Sequence, residues 1–450
     1  MSRTVSLVKW LAAAALILST GPALAAWTVR YEYEDGDDRG VAVANDAAGH
    51  VYALVAAQGD DDGAVVVVCY GSDGSELRSW TYDNEADNVP SCFAVTGNDP
   101  ANDVIIYVAV VDDAETWKVI AFDESDDEPI WQSAFAVEQI EGDLADIALQ
   151  WDATASDWGV VASGNAEPTT DKGVDWLTIS YHPNGSQRWH SFLDGYELDD
   201  LAKAVACNGS GDVFVTGQTT TPGASEGDED AVIRTVQYSA GGQEAWVADH
   251  NQVVSGDDEE DEGLDVVAYF SNYVYVAAKY YIESGTPPST YGTVILRYDQ
   301  GVPGRPEKVE VEHDYYSYVP VELAYYYDGQ GAGGVFAAVS KWAEPAETYI
   351  ERHFTTIRLA NSESGLVNRW QEDFPVWSTN PGDEHAPCGV AATNNVCCYV
   401  TGNIADGGGN IATLMYSPDG LRKELWQAYG DGLDQAADVT AYLLTTGART

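Results

Sequence analysis

Aspartate residues recur shortly before short apolar segments along most of this chain. Those that lie about three to five positions ahead of such a segment are Asp38, Asp87, Asp143, Asp200, Asp261, Asp383 and Asp434. A run of carboxylates at residues 257–262 adds Asp257 and Asp258. Because Ca²⁺ prefers carboxylate oxygens as ligands, these residues are the candidate metal ligands and Ca²⁺ is the candidate cofactor.

Each of these aspartates also has a purely structural interpretation. An Asp side chain in a loop can accept hydrogen bonds from nearby backbone N–H groups and thereby close the loop. We favour this interpretation for each Asp taken alone. Many such carboxylates on one face would still make that face negative, even if each Asp only closes its own loop.

The chain carries no recognisable catalytic or zinc-binding motif. Gly223–Gly227, GASEG, matches the G-x-S-x-G nucleophile elbow by its letters, but no strand–turn–helix context surrounds it. Asp35–Asp46 resembles a calcium loop at its first and third positions only, since Arg39 occupies the fifth. The seven His are scattered and the six Cys form no CxxC pair. We therefore predict no catalytic residues and interpret the cysteines as small buried apolar side chains.

The charge of the chain excludes some partners. It has 73 Asp and Glu against 21 Lys and Arg, a formal net charge of −52. Nucleic-acid phosphates are bound by basic surfaces, so nucleic acid is excluded as a partner, and docking on anionic lipid is disfavoured. Solvation in salty water and cation binding both remain open as explanations of the acidity.

The first residues have the features of a targeting segment. Arg3 and Lys9 accompany an apolar stretch, Trp10–Ser19, and Ala23–Ala25 reads Ala-Leu-Ala, the small-x-small pattern of a cleavage site. The sequence predicts a signal peptide over residues 1–25 and one exported domain, extracellular or periplasmic, over residues 26–450. No segment is apolar for long enough to predict a transmembrane helix.

Tryptophan marks an internal repeat of roughly fifty residues. The marker residues are Trp27, Trp80, Trp131, Trp189, Trp246, Trp370 and Trp426. The interval between Trp246 and Trp370 is double, and we expect Val309 or Val311 to replace the missing Trp. The spacing predicts seven repeats over about residues 41–430, and such a period suits a four-stranded propeller blade.

Each repeat contains the same four pieces. An acidic segment leads into a short apolar strand such as GVAVAN, and a turn with Gly, Asn or Asp leads to a second strand such as VFVTGQT. A third strand ends in an aromatic residue, and a turn such as HPNG leads into the Trp strand. Turn residues between β-branched and aromatic runs indicate hairpins. We predict an all-β fold, a seven-bladed β-propeller of four-stranded antiparallel blades.

The segments GDVFVTGQT…AVIRTVQYSAGGQEAW and CYVTGNI…IATLMYSPDGLRKELW resemble the repeat of the bacterial seven-bladed β-propeller (SBBP) family. The resemblance extends over essentially the whole mature chain. It is strong in the first, fourth and seventh repeats and weakest in the fifth and sixth. It implies a propeller fold but no particular chemistry, because propellers host many unrelated functions.

Two strand-like segments lie outside the seven repeats. Trp27–Tyr33 resembles the fourth strand of a blade, and Ala437–Leu444 resembles the first. We expect them to cross at the seam and lock the ring, in preference to joining neighbouring molecules by strand addition.

The loops that lead into each blade share a face with the loops between second and third strands in a propeller of this type. Both sets are acidic here, as in Gly59–Gly63 and Glu226–Asp230. We therefore expect one strongly negative face around the central channel, and an opposite face that is nearer to neutral.

Three classes of function fit these features. We favour an exported, non-catalytic propeller that acts as a binding or scaffold module, with a cation and an unidentified protein or glycan as ligands. The first alternative is an enzyme, since Trp-ending repeats also resemble, more remotely, quinoprotein dehydrogenase propellers. Their fuller docking motif and an obvious set of quinone and calcium ligands are not recognisable here. The second alternative, motivated by the end strands, is a structural subunit of an extracellular assembly.

Overall fold

In the computed structural model of the protein, seven antiparallel sheets of four strands follow one another along the chain. Each sheet consists of strands that are consecutive in the sequence, with the first paired to the second, the second to the third and the third to the fourth. This arrangement is a seven-bladed β-propeller, so the predicted fold class is confirmed. We number the blades 1 to 7 in chain order.

The structure describes most of the strands and many of the tight turns. The described residues are 15–16, 39–46, 48–58, 63–83, 88–97, 104–112, 116–135, 144–167, 173–195, 198–222, 229–251, 261–268, 273–282, 290–300, 302–310, 317–327, 333–342, 350–362, 365–378, 387–392, 397–404, 410–428 and 440–441. Within these ranges there is no helix, and hence none of the length and apolar character that a membrane span requires.

The strands recur in the same order in every blade. The first strands are Arg39–Asn45, Asn88–Val95, Leu144–Asp152, Asp200–Cys207, Glu262–Ala268, Ser317–Tyr326 and Pro387–Ala392. The second strands are Val51–Gln58, Ile105–Asp112, Asp157–Ala166, Val213–Pro222, Tyr273–Ile282, Gly334–Trp342 and Cys398–Ile404. The third strands are Gly63–Tyr70, Trp117–Asp123, Asp175–Tyr181, Glu229–Tyr238, Thr290–Asp299, Ile350–Ser362 and Asn410–Tyr416. The fourth strands are Glu76–Tyr82, Trp131–Phe135, Gln187–Leu193, Glu244–His250, Val302–Glu310, Gly365–Ser378 and Arg422–Ala428.

The middle strands of the blades are almost continuous apolar runs. The third strand of blade 1 reads GAVVVVCY, and every residue of the third strand of blade 3, DWLTISY, is buried. A strand covered on both faces loses the polar alternation of a half-exposed strand. In the fourth strand Gln187–Leu193, by contrast, exposed and partly buried residues are interspersed. The core therefore lies between blades, and the fourth strands form the outer edge.

The first strands of consecutive blades contact one another and line the centre of the ring. Each of them contains a β-bulge at the same place. The bulged residues are Val41, Ser91, Ala145, Lys203, Leu264, Val321 and Cys388. A bulge twists the strand and re-aims the residues beside it. Its common position supplies a register in which equivalent residues of the seven blades can be compared.

A tryptophan on the fourth strand joins one blade to the next. The indole Nε1 of Trp189 donates to the backbone carbonyl of Ala240 at 3.2 Å, and its ring centre lies 5.6 Å from that of Tyr238. Both partners belong to blade 4, and Ala240 lies in the turn between its third and fourth strands. Trp131 makes the same contact with the carbonyl of Pro183 in blade 3, at 2.8 Å.

The turn that receives the indole requires glycine. Gly242 has a φ of 81°, and a Cβ built on it would lie 2.6 Å from the Trp189 ring. Gly185 has a φ of 80°, and its Cβ would lie 2.5 Å from the Trp131 ring. Only glycine adopts a positive φ without steric cost, and here it also leaves space for the indole.

Blade 5 has no tryptophan on its fourth strand, and Glu307 and Val309 take the two positions that tryptophan holds on the fourth strands of other blades. Glu307 stands opposite Arg297, at the position that Trp189 holds in blade 3. Val309, opposite Ile295, has the position of Trp80 in blade 1 and Trp426 in blade 7, as expected for one of the two candidate valines. Val311 lies outside the described residues. Strand register depends on turn length and on bulges, so spacing between tryptophans does not determine it.

A polar contact replaces the indole at the junction of blades 5 and 6. Arg297 forms a salt bridge with Glu307 and donates to Oδ1 of Asn361 at 2.6 Å. Glu307 also accepts the backbone N–H of Leu366 at 2.9 Å. Asn361 and Leu366 flank the turn between the third and fourth strands of blade 6, so the contact still reaches the turn that a tryptophan reaches elsewhere.

The chain termini contribute one short ladder beside the seam. Ala15–Leu16, within the segment predicted as a signal peptide, pairs in parallel with Thr440–Ala441. Thr440–Ala441 also contacts the first strands of blades 1 and 7. Trp27–Tyr33 lies outside the described residues, as does most of Ala437–Leu444.

We expect Gly242→Ala to destabilise the protein by about 2–4 kcal/mol, because the new Cβ would meet both a positive φ and the Trp189 ring. Gly241→Ala in the same turn is the matched control, since a Cβ there meets nothing within 4 Å. The measurement is the urea midpoint at constant m-value. Equal midpoints for the two variants would contradict the proposed role of the glycine turn.

Candidate functional site

The structure describes two of the nine predicted metal ligands. Asp200 and Asp261 are completely buried where they lead into blades 4 and 5. The predicted ligands outside the described residues are Asp38, Asp87, Asp143, Asp257, Asp258, Asp383 and Asp434. We call the side of the ring where first strands begin and second strands end the loop rim. The opposite side, with the turns between strands one and two and between strands three and four, is the turn rim.

The bulge register identifies the structural position that Asp200 and Asp261 share. Each lies three residues before the bulged residue of its first strand. In blade 2 the same position is held by Asn88, whose Nδ2 donates to the carbonyl of Gly63 in blade 1 at 3.2 Å. A search for acids selects the neighbouring Asp87 instead. The amide was missed because it performs the same hydrogen-bonding role without a charge.

Asp200 joins blade 4 to blade 3 through hydrogen bonds. Its backbone N–H donates to the carbonyl of Val174 at 2.7 Å. Its carboxylate accepts the backbone N–H of Gly195 at 2.5 Å, that of Thr220 at 3.3 Å and the hydroxyl of Thr219. This is the loop-closing role that we favour for a single aspartate, and it holds the carboxylate in one place.

Asp200 is also part of a cluster of three carboxylates at the loop rim. Ligand oxygens of Asp175, Asp194 and Asp200 all lie within 4.8 Å of one another. Asp175 and Asp200 are buried, whereas Asp194 is exposed. Burial raises the pKa of Asp200, although its hydrogen bonds and the charge of Arg234 oppose the rise. Three carboxylate ligands with one side open to water could hold a divalent cation.

The site residues contributed by blade 3 carried no recognisable signal in the sequence. Asp175 opens its third strand, and Asp194 follows its fourth strand. They meet Asp200 only because blade 4 packs against blade 3. The guanidinium of Arg234 binds Asp249 through two hydrogen bonds of 2.7 and 2.8 Å, and its charge also opposes the rise that burial causes in the pKa of Asp200.

The same position in blade 5 has a different neighbourhood. Glu262, next to Asp261, forms salt bridges of 2.8 Å with both Lys203 and Lys279. Burial alone would raise the pKa of Glu262, but the two ammonium groups outweigh it and hold the pKa below its usual value. This part of the loop rim therefore carries its own cations, which makes it a poorer place for a metal ion than the cluster around Asp200.

A second set of carboxylates lies in the first strands and is not among the predicted ligands. Asp146 accepts the backbone N–H of Val205 in blade 4 at 2.9 Å and that of Ile147 at 2.7 Å. Asp265 makes the corresponding bond to Leu323 of blade 6 at 2.5 Å. Each of these carboxylates therefore bonds to the first strand of the following blade.

A third first strand has the same feature. Glu322 of blade 6 accepts the backbone N–H of Val390 in blade 7 at 2.7 Å. Asp146, Asp265 and Glu322 each follow the bulged residue of their strand directly. The available signal was an acid within an otherwise apolar strand, as in ADIALQW, LDVVAYF and VELAYYY.

Burial within the ring makes these carboxyl groups weak acids. It raises the pKa of Asp146 to about 7, with a further contribution from the charge of Asp265, while backbone N–H bonds oppose the rise. It raises the pKa of Asp265 to about 6. Both residues keep some accessible surface, so solvation limits the rise.

The described cysteines behave as apolar side chains. Cys69 and Cys398 are buried, and Cys92, Cys207 and Cys397 are partly buried. Burial raises the pKa of the Cys92 and Cys207 thiols above its usual value. A thiol held in its protonated form is a poor nucleophile and a poor metal ligand.

The distribution of charge differs from the expected single negative face. The described turn between the third and fourth strands of blade 2 lies on the turn rim and exposes Asp126, Asp127 and Glu128. At blade 2 the turn rim is therefore acidic, and the expectation that this face is nearly neutral is wrong there. Acidic clusters occur on both rims of the ring.

Comparison with known proteins identifies no family. No family model matches the chain, and no curated protein matches it. The predicted SBBP repeat is therefore not supported beyond the propeller fold itself.

Solved structures of several kinds are similar to the chain at low identity. A europium-containing methanol dehydrogenase is 11% identical, with 80% of this chain and 72% of that chain covered and a TM-score of 0.38. The Aleuria aurantia lectin AAL is 9% identical, with 77% and 98% covered and a TM-score of 0.33. A tail fibre of a Staphylococcus aureus phage is 7% identical, with 89% and 97% covered and a TM-score of 0.23. Similarities at this level carry no argument about function.

We expect Asp146→Asn to flatten the dependence of stability on pH. The folded pKa of Asp146, about 7, is above that of an unfolded aspartate, so its contribution to stability is complete below about pH 4 and falls as the pH rises to about 7. The wild type should lose about 3 kcal/mol more than the variant between these pH values, because one pKa unit corresponds to about 1.4 kcal/mol.

The measurement is the free energy of unfolding by urea at several pH values. Glu128→Gln, at an exposed position of the turn rim, is the control and should keep the slope of the wild type. Parallel curves for wild type and Asp146→Asn would show that the carboxyl group titrates at its ordinary pKa.

Proposed function

We propose that this chain is an exported, non-catalytic β-propeller that acts as a binding or scaffold module and presents its loop rim to the partner. The observation that carries the proposal is the cluster of Asp175, Asp194 and Asp200, where buried and exposed carboxylates from two blades meet at the loop rim. We further propose that binding at this rim depends on a divalent cation, with Ca²⁺ as the first candidate.

The connecting segments at the loop rim vary between blades, and this variation supports a binding role. The chain segments that join successive strands at this rim differ in length from blade to blade, and nearly all of them carry carboxylates. The blade cores and the indole–turn contacts, in contrast, repeat with little change. Variable loops on a rigid scaffold are where binding residues concentrate in many proteins.

The electrostatics of the cluster favour a cation over an anion as ligand. Asp175 and Asp200 are buried next to each other, so their charges repel in a region of low dielectric constant. A bound divalent cation would relieve this repulsion and leave coordination positions on the side of the exposed Asp194. A protein or glycan oxygen could take such a position, which would make partner binding depend on the cation.

We expect CaCl₂ to raise the melting temperature more than NaCl at matched ionic strength. Screening is the same in both salts, whereas a cation that binds only the folded protein adds RT ln(1 + [L]/Kd), about 2.7 kcal/mol at a hundredfold excess over Kd. Asp194→Asn should abolish the calcium-specific part, because it removes the exposed ligand of the cluster. Glu128→Gln on the turn rim is the control of equal charge change.

The outcomes separate the interpretations. Identical melting curves in the two salts would leave only screening and would exclude a cation site. A calcium effect that persists in Asp194→Asn but disappears when Asp257, Asp258 and Asp261 are all changed to Asn would move the site to blade 5. Titration calorimetry with glycan and peptide panels, with and without Ca²⁺, then tests the binding role. A visible absorption band in the purified protein would indicate a quinone and argue for an enzyme.

A further inference from the structure

A set of nitrogen and oxygen ligands lies on the turn rim at the junction of blades 1 and 2. One ligand atom from each of Asp46, His50 and Glu124 lies within 4.8 Å of the others. We propose that these three residues bind one divalent transition-metal ion of the Zn²⁺ class. The site is separate from the all-oxygen cluster at the loop rim, and the proposed binding function does not depend on it.

The hairpin of blade 1 holds two of the ligands in place. Asp46 Oδ1 accepts the backbone N–H of His50 at 2.9 Å, and Asp46 Oδ2 lies 2.8 Å from His50 Nδ1. The Asp46 side chain is 3% exposed and that of His50 is 36% exposed. Two ligand atoms 2.8 Å apart, each about 2.1 Å from a metal ion, subtend about 84° at the metal. This angle is close to the right angle between adjacent ligands of an octahedral ion.

Blade 1 also fixes the turn of blade 2 that supplies the third ligand. Trp80 Nε1 donates to the backbone carbonyl of Asp123 at 2.9 Å. Arg78 donates to the backbone carbonyl of Glu124 and forms a salt bridge with Asp127. The position of the Glu124 backbone is therefore determined by the same kind of contact that joins other blades. Its exposed side chain can rotate to close the distance to a metal ion.

A buried phenol holds the two carboxylates close to each other. The hydroxyl of Tyr52 lies 3.2 Å from Asp46 Oδ2 and 3.5 Å from Glu124 Oε1. A phenol is protonated at neutral pH, so Tyr52 acts as a donor to these carboxylates. Because the phenol has one proton, it donates to one carboxylate at a time, and Tyr52 is a positioning residue against which both carboxylates lie, as outer-shell partners of metal ligands do.

The mixed donor set determines the class of metal. Imidazole suits Zn²⁺, Co²⁺, Ni²⁺ and Cu²⁺, whereas Ca²⁺ and Mg²⁺ take oxygen ligands. A neutral imidazole would coordinate through the lone pair on Nδ1 and keep its proton on Nε2. The metal bonds of Asp46 and His50 would then replace the hydrogen bond between them. Because His50 and Glu124 are solvent-accessible, water can complete the coordination.

Blade 3 offers a matched pair without the third ligand. Asp152 Oδ2 lies 2.5 Å from His182 Nδ1, and the side chains are 1% and 35% exposed, close to the values for Asp46 and His50. Within the described residues no further carboxylate or imidazole completes a cluster around this pair. Asp152 and His182 therefore serve as a control pair. Metal binding that needs Glu124 should not occur at this pair, whereas unspecific binding by imidazole should occur at both pairs.

The experiment is calorimetric titration of the full chain with ZnCl₂ in a large excess of CaCl₂, which occupies all-oxygen sites. We expect one site for the wild type and for His182→Gln. His50→Gln and Glu124→Gln should each weaken binding at least tenfold. A parallel titration with Co²⁺ should give a spectrum without a thiolate-to-metal charge-transfer band, which shows that the cysteines are not the ligands.

Several results would overturn the proposal. These are the absence of Zn²⁺ binding to the wild type, an affinity unchanged in His50→Gln, and an equal loss in His182→Gln. A thiolate band in the Co²⁺ spectrum would assign the metal to cysteine instead. Far-UV circular dichroism and the urea midpoint of each variant show whether a loss of binding comes from unfolding. Glu124 is exposed, so Glu124→Gln is the variant that should disturb folding least.

Discussion

The packing of an indole ring against the glycine turn of the next blade is the contact on which the ring depends. A four-stranded sheet with two apolar faces cannot bury both by itself, so each blade needs a neighbour on either side. Trp131, Trp189 and Trp370 supply this contact at the periphery, where each indole nitrogen bonds to a backbone carbonyl of the following turn. At blade 5 the pair Arg297 and Glu307 reaches the same turn. The position is thus retained while its chemistry changes.

Near the centre of the ring the blades are joined by carboxylates. First strands converge there, and each is the inner edge of its sheet, so some of its backbone N–H groups have no partner strand. Asp146, Asp265 and Glu322 accept such groups from the next blade, and these bonds offset part of the cost of burying a carboxylate. What remains of that cost appears as the raised pKa of Asp146 and Asp265. Neighbouring blades are thus joined by apolar contacts at the periphery of the ring and by polar contacts near its centre.

The rims are free to differ because the ring is held together elsewhere. The cluster around Asp200 on the loop rim offers only carboxylate ligands, whereas the turn rim at blades 1 and 2 combines carboxylates with the imidazole of His50. These two donor sets suit different cations. A net charge of −52 provides many carboxylates, but the fold decides which of them approach one another closely enough to share an ion.

The sequence by itself determined the number of blades, the order of their strands and the position of Asp200 and Asp261 at the beginning of a blade. These features depend on alternation, turn residues and spacing, which act between residues close in the chain. Tertiary structure alone decided that Asp175 and Asp194 of blade 3 meet Asp200 of blade 4, and that Glu307 occupies the position of a tryptophan. It also decided that Glu124 of blade 2 lies beside Asp46 of blade 1. Contacts between blades depend on bulge register and on closure of the ring, and neither is encoded in a local pattern.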